Sequence, residues 1–542
     1  MADIVLTAFN ARYAHSSFGS RYLLANMADL KERTELLEFD LQVPPRIAVE
    51  KILAHHPRIV GIGCYIWNIG LVTEVAALIK AVRPEIKIIL GGPEISYETE
   101  EQEITQYADH AICGEGEIEF PNLCRGLLKA GDTSRTAVFQ SSSSQPRRII
   151  HAEPVDVFAI ELPYDLYSDD DIKHRAIYVE ASRGCPFRCE YCMSSLDLKV
   201  RYFPVEKLFA AFETLLDRGA GTFKFVDRTF NIDIEFALKV LAFFKERYQP
   251  GMMLHFEIIP SHLPKELMEA VEGCPPGMLQ FEIGIQTFNE VVAHRIQRPL
   301  NIEQIETNMR RLREETDVHI HSDLIAGLPG EDLKSFEAGF NRLLALHPQE
   351  IQLGILKRLR GAPIDRHSND WKMVYSPHAP YEILCTSLIS FEEMQRIQRF
   401  ARYWNLIVNN GQFINTAPLI WNSGQQGRQD VDGTLSPFAA FMEFSDWLYA
   451  KTNTTGNLHM LRLAKLLLEF QTVEKGMDEK TVAEALWKDY QRGNRPDVPG
   501  FLKKFGFEKT SNPSAGSRRN ACDTPTAPQA SRLPRQNRHL KD

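Results

Sequence analysis

The run Glu180-Ala-Ser-Arg-Gly-Cys-Pro-Phe-Arg-Cys-Glu-Tyr-Cys-Met193 brings three cysteines, Cys185, Cys189 and Cys192, into one short loop with no fourth cysteine beside them. A structural zinc site closes its tetrahedron with four protein ligands, whereas a four-iron, four-sulfur cluster held by three thiolates leaves one iron open for an exogenous ligand. The triplet points to the open cluster. The competing reading is a zinc site completed by Cys274 or a histidine.

Outward from this loop, β-like runs recur at 176–180, 222–226, 253–258, 279–285, 318–325 and 351–356, separated by helix-compatible stretches such as 205–216 and 302–312. The pattern predicts a partial (β/α)6 barrel over 171–370, with the triplet leaving its first strand at the carboxyl end, the face on which barrel sites are built. Before it, short β-branched runs at 4–8, 35–39, 59–63, 86–90 and 110–113 alternate with amphipathic stretches. This is the α/β signature of a doubly wound, flavodoxin-like domain over 1–140, whose ligand would sit beyond the strand ends. Ser141-Ser-Ser-Ser144 lies in an expected linker, 141–170; helical patterns dominate an expected C-terminal domain, 371–508; and the Ser-, Pro- and Arg-rich stretch 509–542 is expected to be disordered. Tyr403 to Leu406 and Asn409 to Phe413 suit either a substrate wall or helix packing and capping.

Composition narrows the class. A chain of 542 residues with 44% hydrophobic content can build several cores, and a net charge of −9 gives no general attraction to nucleic acid or anionic membrane. The other six cysteines, Cys64, Cys113, Cys124, Cys274, Cys385 and Cys522, stand alone, unlike a secreted disulfide framework. A cytoplasmic protein without a signal peptide or membrane span is the expectation.

The spacing Cys-x-x-x-Cys-x-x-Cys, with Tyr191 before the last cysteine, resembles the signature of the radical S-adenosylmethionine superfamily. That resemblance implies a [4Fe-4S] cluster on Cys185, Cys189 and Cys192, S-adenosylmethionine on its open iron, and a low-potential electron donor such as flavodoxin or ferredoxin. Across about 175–360 the chain is similar to the branch related to oxygen-independent coproporphyrinogen oxidase. The similarity assigns contacts with S-adenosylmethionine to Tyr191, Glu257, Gln286, Arg298 and Asp323, with Asp227 a weaker candidate. Carboxylates suit ribose hydroxyls or the amino group, and a guanidinium suits the methionyl carboxylate.

The N-terminal part resembles the cobalamin-binding domain of the cobalamin-dependent subclass, through Gly91-Gly-Pro-Glu94 and Gly114-Glu-Gly-Glu117 at successive strand ends. Small residues there would let a flat corrin approach the backbone. The resemblance implies cobalamin contacts from Gly91, Gly92, Gly114, Glu115 and Gly116, together with Tyr65, Trp67 and Asn68 after the third strand. The Asp-x-His-x-x-Gly pattern that supplies an axial imidazole is absent, and His15 reads as a loop residue. The region after 370 resembles a C-terminal extension of one uncharacterised group. Together these features imply an enzyme that methylates an unactivated carbon. The alternatives are a cobalamin-dependent rearrangement, cyclisation or oxidation; a methylthiolating tRNA enzyme, whose second cysteine cluster is lacking; and a redox or cobalamin sensor.

Overall fold

Ile4 to Phe9 are all buried in the first strand, β1 (Ile4–Asn10), as a strand covered on both faces requires. It pairs in parallel with β2 (Thr34–Asp40) and β3 (Ile59–Gly63), followed outward by β4 (Lys87–Gly91), β5 (His110–Cys113) and β6 (Ile149–His151), in the order β2-β1-β3-β4-β5-β6. The reversal of direction at β1 is the switch point of a doubly wound sheet. Helices pack on both faces, giving two separate apolar clusters. In this computed structural model the described residues are 2–12, 14–132, 148–422, 436–492 and 497–508. The Ser141–Ser144 run and the stretch 509–542 lie outside them. The described part of the expected linker is not plain coil, since Ile149–His151 forms the sixth strand and Asp169–His174 a capped helix.

The second sheet is built from β7 (Ile177–Val179), β10 (Thr222–Phe225), β11 (Met253–Ile258), β12 (Leu279–Gln286), β13 (His319–Ala326) and β14 (Glu350–Ile355). A small antiparallel pair, β8 (Ser182–Arg183) with β9 (Arg201–Tyr202), lies between the first two of these. All six strands are parallel and each neighbours the next in sequence, so the sheet is the expected run of β/α units, open between β7 and β14. Connecting helices begin at side-chain caps: Asp233 accepts from the Phe236 amide, Asn301 from Gln304 and Asp332 from Ser335.

The C-terminal helices, including Phe391–Trp404 and Pro437–Thr452, share one continuous core with this sheet. Phe340 from a barrel helix meets Phe400 and Trp404 edge-on, at ring separations of 5.3 and 4.9 Å. The Asn409 amide donates to Ile351 O and its carbonyl accepts from Ile351 N, at 2.8 and 3.0 Å, so it caps the free edge of β14. Tyr403 and Trp404 are buried. Tyr403, Trp404 and Asn409 thus serve packing and edge capping. No helix among the described residues is long and apolar enough to cross a membrane.

Candidate functional site: two adjoining cavities

The cysteine loop is held from both ends. Gly184 has φ +94° and a Cβ there would lie 2.3 Å from Lys199 O, so only glycine lets the chain turn closely enough for Cys185 N to donate to Asp197 O at 2.9 Å. Within the loop, Glu190 is fully buried. Its carboxylate accepts from Gln297 (2.6 Å), pairs with His367 (2.7 Å) and is also bonded by Arg366. All three cysteines line one cavity of about 250 Å³ at the carboxyl ends of the barrel strands. Burial, reinforced by the other two thiols, pushes the Cys185 thiol above its ordinary value.

Tyr191, Glu257, Gln286, Arg298 and Asp323 line this same cavity. Arg298 donates to Tyr191 Oη (3.1 Å), to Cys189 Sγ (3.5 Å) and to Gly284 O. Gln286 lies where the pairing of β12 with β13 shifts register, and it has φ +73°, a left-handed conformation costing a non-glycine residue about 1 kcal/mol or more. Its Oε1 is buried with no hydrogen-bond partner. A strained residue with an orphaned acceptor in the wall of a cavity fits a ligand that donates to it. Burial raises the carboxyls of Glu257 and Asp323, against the pull of Arg228 and His321 respectively.

Sequence reading missed the neighbouring layer. Glu282 also lines the cavity. Burial pushes its carboxyl up, but the 2.9 Å hydrogen bond with His255, with the nearby Lys224 and His321, outweighs this and holds it below its ordinary value. The signal for finding it was the two-residue alternation along β11 to β13, which places His255, Glu282 and His321 on the same inward face as Glu257, Gly284 and Asp323. Asp227 does not line the cavity. It is buried behind the loop, accepting from Ala181 N (3.0 Å) and Ser182 Oγ (2.6 Å), and burial raises its carboxyl to about 7.

A second cavity, of about 500 Å³, opens at the carboxyl ends of β1, β3, β4 and β5. Gly91, Gly92, Gly114, Glu115, Gly116 and Tyr65 all line it. Gly92 has φ +102°, and a Cβ there would lie 2.6 Å from Cys64 O. Farther in, Gly61 leaves open the space between Leu6 and Phe120. Trp67 and Asn68 do not line the cavity. The Trp67 ring stacks on Tyr65 at 4.4 Å with its indole N–H on Phe9 O, while buried Asn68 accepts from Tyr65 N and donates to Gly63 O, shaping the turn. His15 is a loop residue, 2.5 Å from Tyr178 Oη at the edge of the barrel sheet.

Both glycine turns are tied to the barrel by ion pairs. Arg183, just ahead of Cys185, bonds Glu117 and Glu180 at 2.8 Å, and Arg201 bonds Glu115 at 2.7 Å. On the other side Arg360 bonds Glu94 at 2.9 Å and Arg358 bonds Glu98 at 3.0 Å, with Tyr381 donating to Glu94 at 2.8 Å. The two cavities meet at Arg228, which lines both.

Comparison with known families agrees with this layout. Residues 179–343 match the model of the radical SAM superfamily, 4–124 that of the B12 binding domain, and 369–534 that of a protein of unknown function, DUF4080. The chain thus carries a radical SAM domain behind a B12-binding domain, and the cofactors that go with these domains are a [4Fe-4S] cluster, S-adenosylmethionine and cobalamin. It is 24% identical over 330 residues to 2-(S-pantetheinyl)-carbapenam-3-carboxylate methyltransferase of Streptantibioticus cattleyicolor, covering 57% of this chain and 48% of that protein. The cobalamin-dependent radical SAM methyltransferase TokK of Streptomyces tokunonensis is 23% identical over the same coverage, 57% and 48%. The chain thus spans about half the length of these curated relatives, at 48% of each. Among solved structures, the radical S-adenosylmethionine methyltransferase TsrM from Kitasatospora setae, with cobalamin and [4Fe-4S] cluster bound, superposes with a TM-score of 0.52 at 16% identity, covering 67% of this chain and 74% of TsrM. That likeness is one of fold.

Proposed function

We propose that this enzyme methylates an unactivated carbon of its substrate, with methyl transfer by way of cobalamin. The observation that carries the reading is the pair of adjoining cavities, one holding the cysteine triplet and the other the glycine turns, which meet at a single side chain. When bound, the cluster would supply one electron to the sulfonium of S-adenosylmethionine, and cobalamin would relay the methyl group.

The chain's residues divide the work. Cys185, Cys189 and Cys192 hold the cluster. Arg298 faces the methionyl carboxylate, beside Cys189 and Tyr191. Glu257 and Asp323 accept from the ribose hydroxyls or amino group, and Gln286 Oε1 takes a donor from the same ligand. The glycine turns and Tyr65 hold the corrin, and Arg183, Arg201, Arg358 and Arg360 keep those turns in register with the cluster loop. An external one-electron donor, of the flavodoxin or ferredoxin kind, is required.

The test is an anaerobic assay of the cluster-reconstituted protein with S-adenosylmethionine and a reductant. Alanine at any one of the three cysteines is expected to abolish 5′-deoxyadenosine formation, and a variant that still forms it at the wild-type rate removes the triplet from the chemistry. With substrate present, methylation leaves S-adenosylhomocysteine as well; rearrangement, cyclisation or oxidation leaves little or none.

A further inference from the structure

Arg228 follows directly on the second barrel strand, in the run Phe225-Val-Asp-Arg-Thr-Phe-Asn231. A molecule that gives up hydrogen on the cluster side and gains methyl on the corrin side has to lie where the two cavities join, and the side chain found there is this guanidinium. The other cations at the cavities are committed. Arg183 is held by Glu117 and Glu180, both at 2.8 Å, and its guanidinium lies over the Tyr22 ring, 4.8 Å from its centre. Arg298 is used by Tyr191, Cys189 and two backbone carbonyls. Arg228 makes one hydrogen bond among the described residues, from Nη1 to Glu257 at 3.0 Å, and its side chain is 52% exposed while lining both cavities. Its Nε and Nη2 donors have no hydrogen-bond partner among the described residues. A planar guanidinium with open donors matches a carboxylate or phosphate.

The nearby carboxylates do not reverse this preference, because each already has a hydrogen-bonding or ionic partner, Glu257 being the one that Arg228 itself bonds. Glu115 has Arg201, Glu117 and Glu180 have Arg183, and Glu282 has His255. Asp323 has His321 at 3.3 Å.

We infer that the substrate is an oxyanion-bearing small molecule, and that Arg228 holds its carboxylate or phosphate at the junction of the two cavities. The inference rests on the functional reading above and adds to it the chemical class of the substrate and the residue that selects it.

The experiment uses the full chain loaded with cluster, S-adenosylmethionine and cobalamin, and three probes of one size: benzoate, phenylphosphonate and benzamide. Binding is followed by ligand-observed NMR, and the cobalamin is set to its paramagnetic Co(II) state to broaden signals of any probe lying near it. A charge-assisted hydrogen bond corresponds to about tenfold in affinity, so at least one anion is expected to bind about tenfold more tightly than benzamide and to be broadened. Which anion wins distinguishes a carboxylate from a phosphate substrate. Arg228→Gln is expected to remove the preference, while Arg228→Lys, which keeps the charge but not the fork, retains part of it. Equal binding of all three probes by the wild type, or an unchanged preference in Arg228→Gln, overturns the inference; so does an Arg228 already taken by either cofactor, which would read as equal binding. Failure of the wild type to form 5′-deoxyadenosine would instead defeat the radical reading, and it is read out separately from probe binding.

Discussion

Replacing Arg183 with methionine tests the idea that the cobalamin-binding domain is locked onto the barrel by charge. Methionine keeps an unbranched side chain that can still pack on the Tyr22 and Phe203 rings, now 4.8 and 5.6 Å from the guanidinium, but it removes the cation. Glu117 and Glu180, whose side chains are each only 7% exposed, then face one another without it. Breaking a buried pair by removing one partner costs about 3–5 kcal/mol, because the remaining charge is left uncompensated. At about 3 kcal/mol per molar urea this lowers the unfolding midpoint by roughly 1–2 M. The loss also depends on pH. Burial already raises the Glu180 carboxyl in the fold, and Arg183 is the largest influence opposing that rise. Without Arg183 the carboxyl rises further, so the folded variant gains a proton that the unfolded chain releases. A raised folded value favours the fold below the ordinary carboxylate range and weakens it as pH climbs through the raised value, so the deficit is larger at about pH 8 than at about pH 5. Urea unfolding of the cofactor-free chain, followed by tryptophan fluorescence at both pH values, measures it. A deficit under about 1 kcal/mol at the higher pH, well below the range for a broken buried pair, would refute the reasoning, as would a larger deficit at the lower pH.

Gln286→Gly should relieve the left-handed strain and leave thermal stability equal or higher, while the apparent KM for S-adenosylmethionine rises about tenfold through loss of one hydrogen bond to a charged or polar ligand group. Asp227→Asn should flatten the pH dependence of stability. The wild-type carboxyl, raised to about 7 by burial, supports the fold fully below the ordinary carboxylate range and loses that support as pH rises through 7, whereas asparagine does not titrate. At Gly91 the nearest atom to an added Cβ is Ile112 O at 3.9 Å, so Gly91→Val fits locally but fills cavity space. It should abolish retention of corrin, seen by absorbance after desalting, while shifting urea unfolding by less than about 1 kcal/mol.

The six barrel strands could be read from sequence because β-branched and aromatic runs recur there between helix-compatible stretches, and each observed strand falls within a residue or two of its run. The cavity residues were legible for a related reason. The triplet is a local motif, and Glu257, Gln286 and Asp323 stand at or near strand carboxyl ends, where a β/α sheet builds its site. What escaped lacked any local signature. The pairs Arg360–Glu94 and Arg358–Glu98 join segments more than 250 residues apart, and nothing near either arginine announces its partner. Strand β6 is only three residues long and follows a Ser-rich run that reads as coil. Trp67 and Asn68 have the composition of a ligand-binding turn, yet their polar atoms are used by backbone groups of β1 and β3. Arg228 went unremarked beside Asp227 because one residue of chain separates a buried loop support from a group facing both cavities.

The central claim is methyl transfer between the two cavities, and isotope tracing tests it most directly. The cluster- and cobalamin-loaded enzyme would be incubated anaerobically with S-adenosylmethionine deuterated on its methyl group, a reductant, and the small-molecule extract of its source cells, and all products read by mass spectrometry. The account predicts S-adenosylhomocysteine and 5′-deoxyadenosine in matching amounts, with the deuterated methyl carried on a new carbon-bound position of one anionic product. Formation of 5′-deoxyadenosine with no S-adenosylhomocysteine and no label transfer would contradict it.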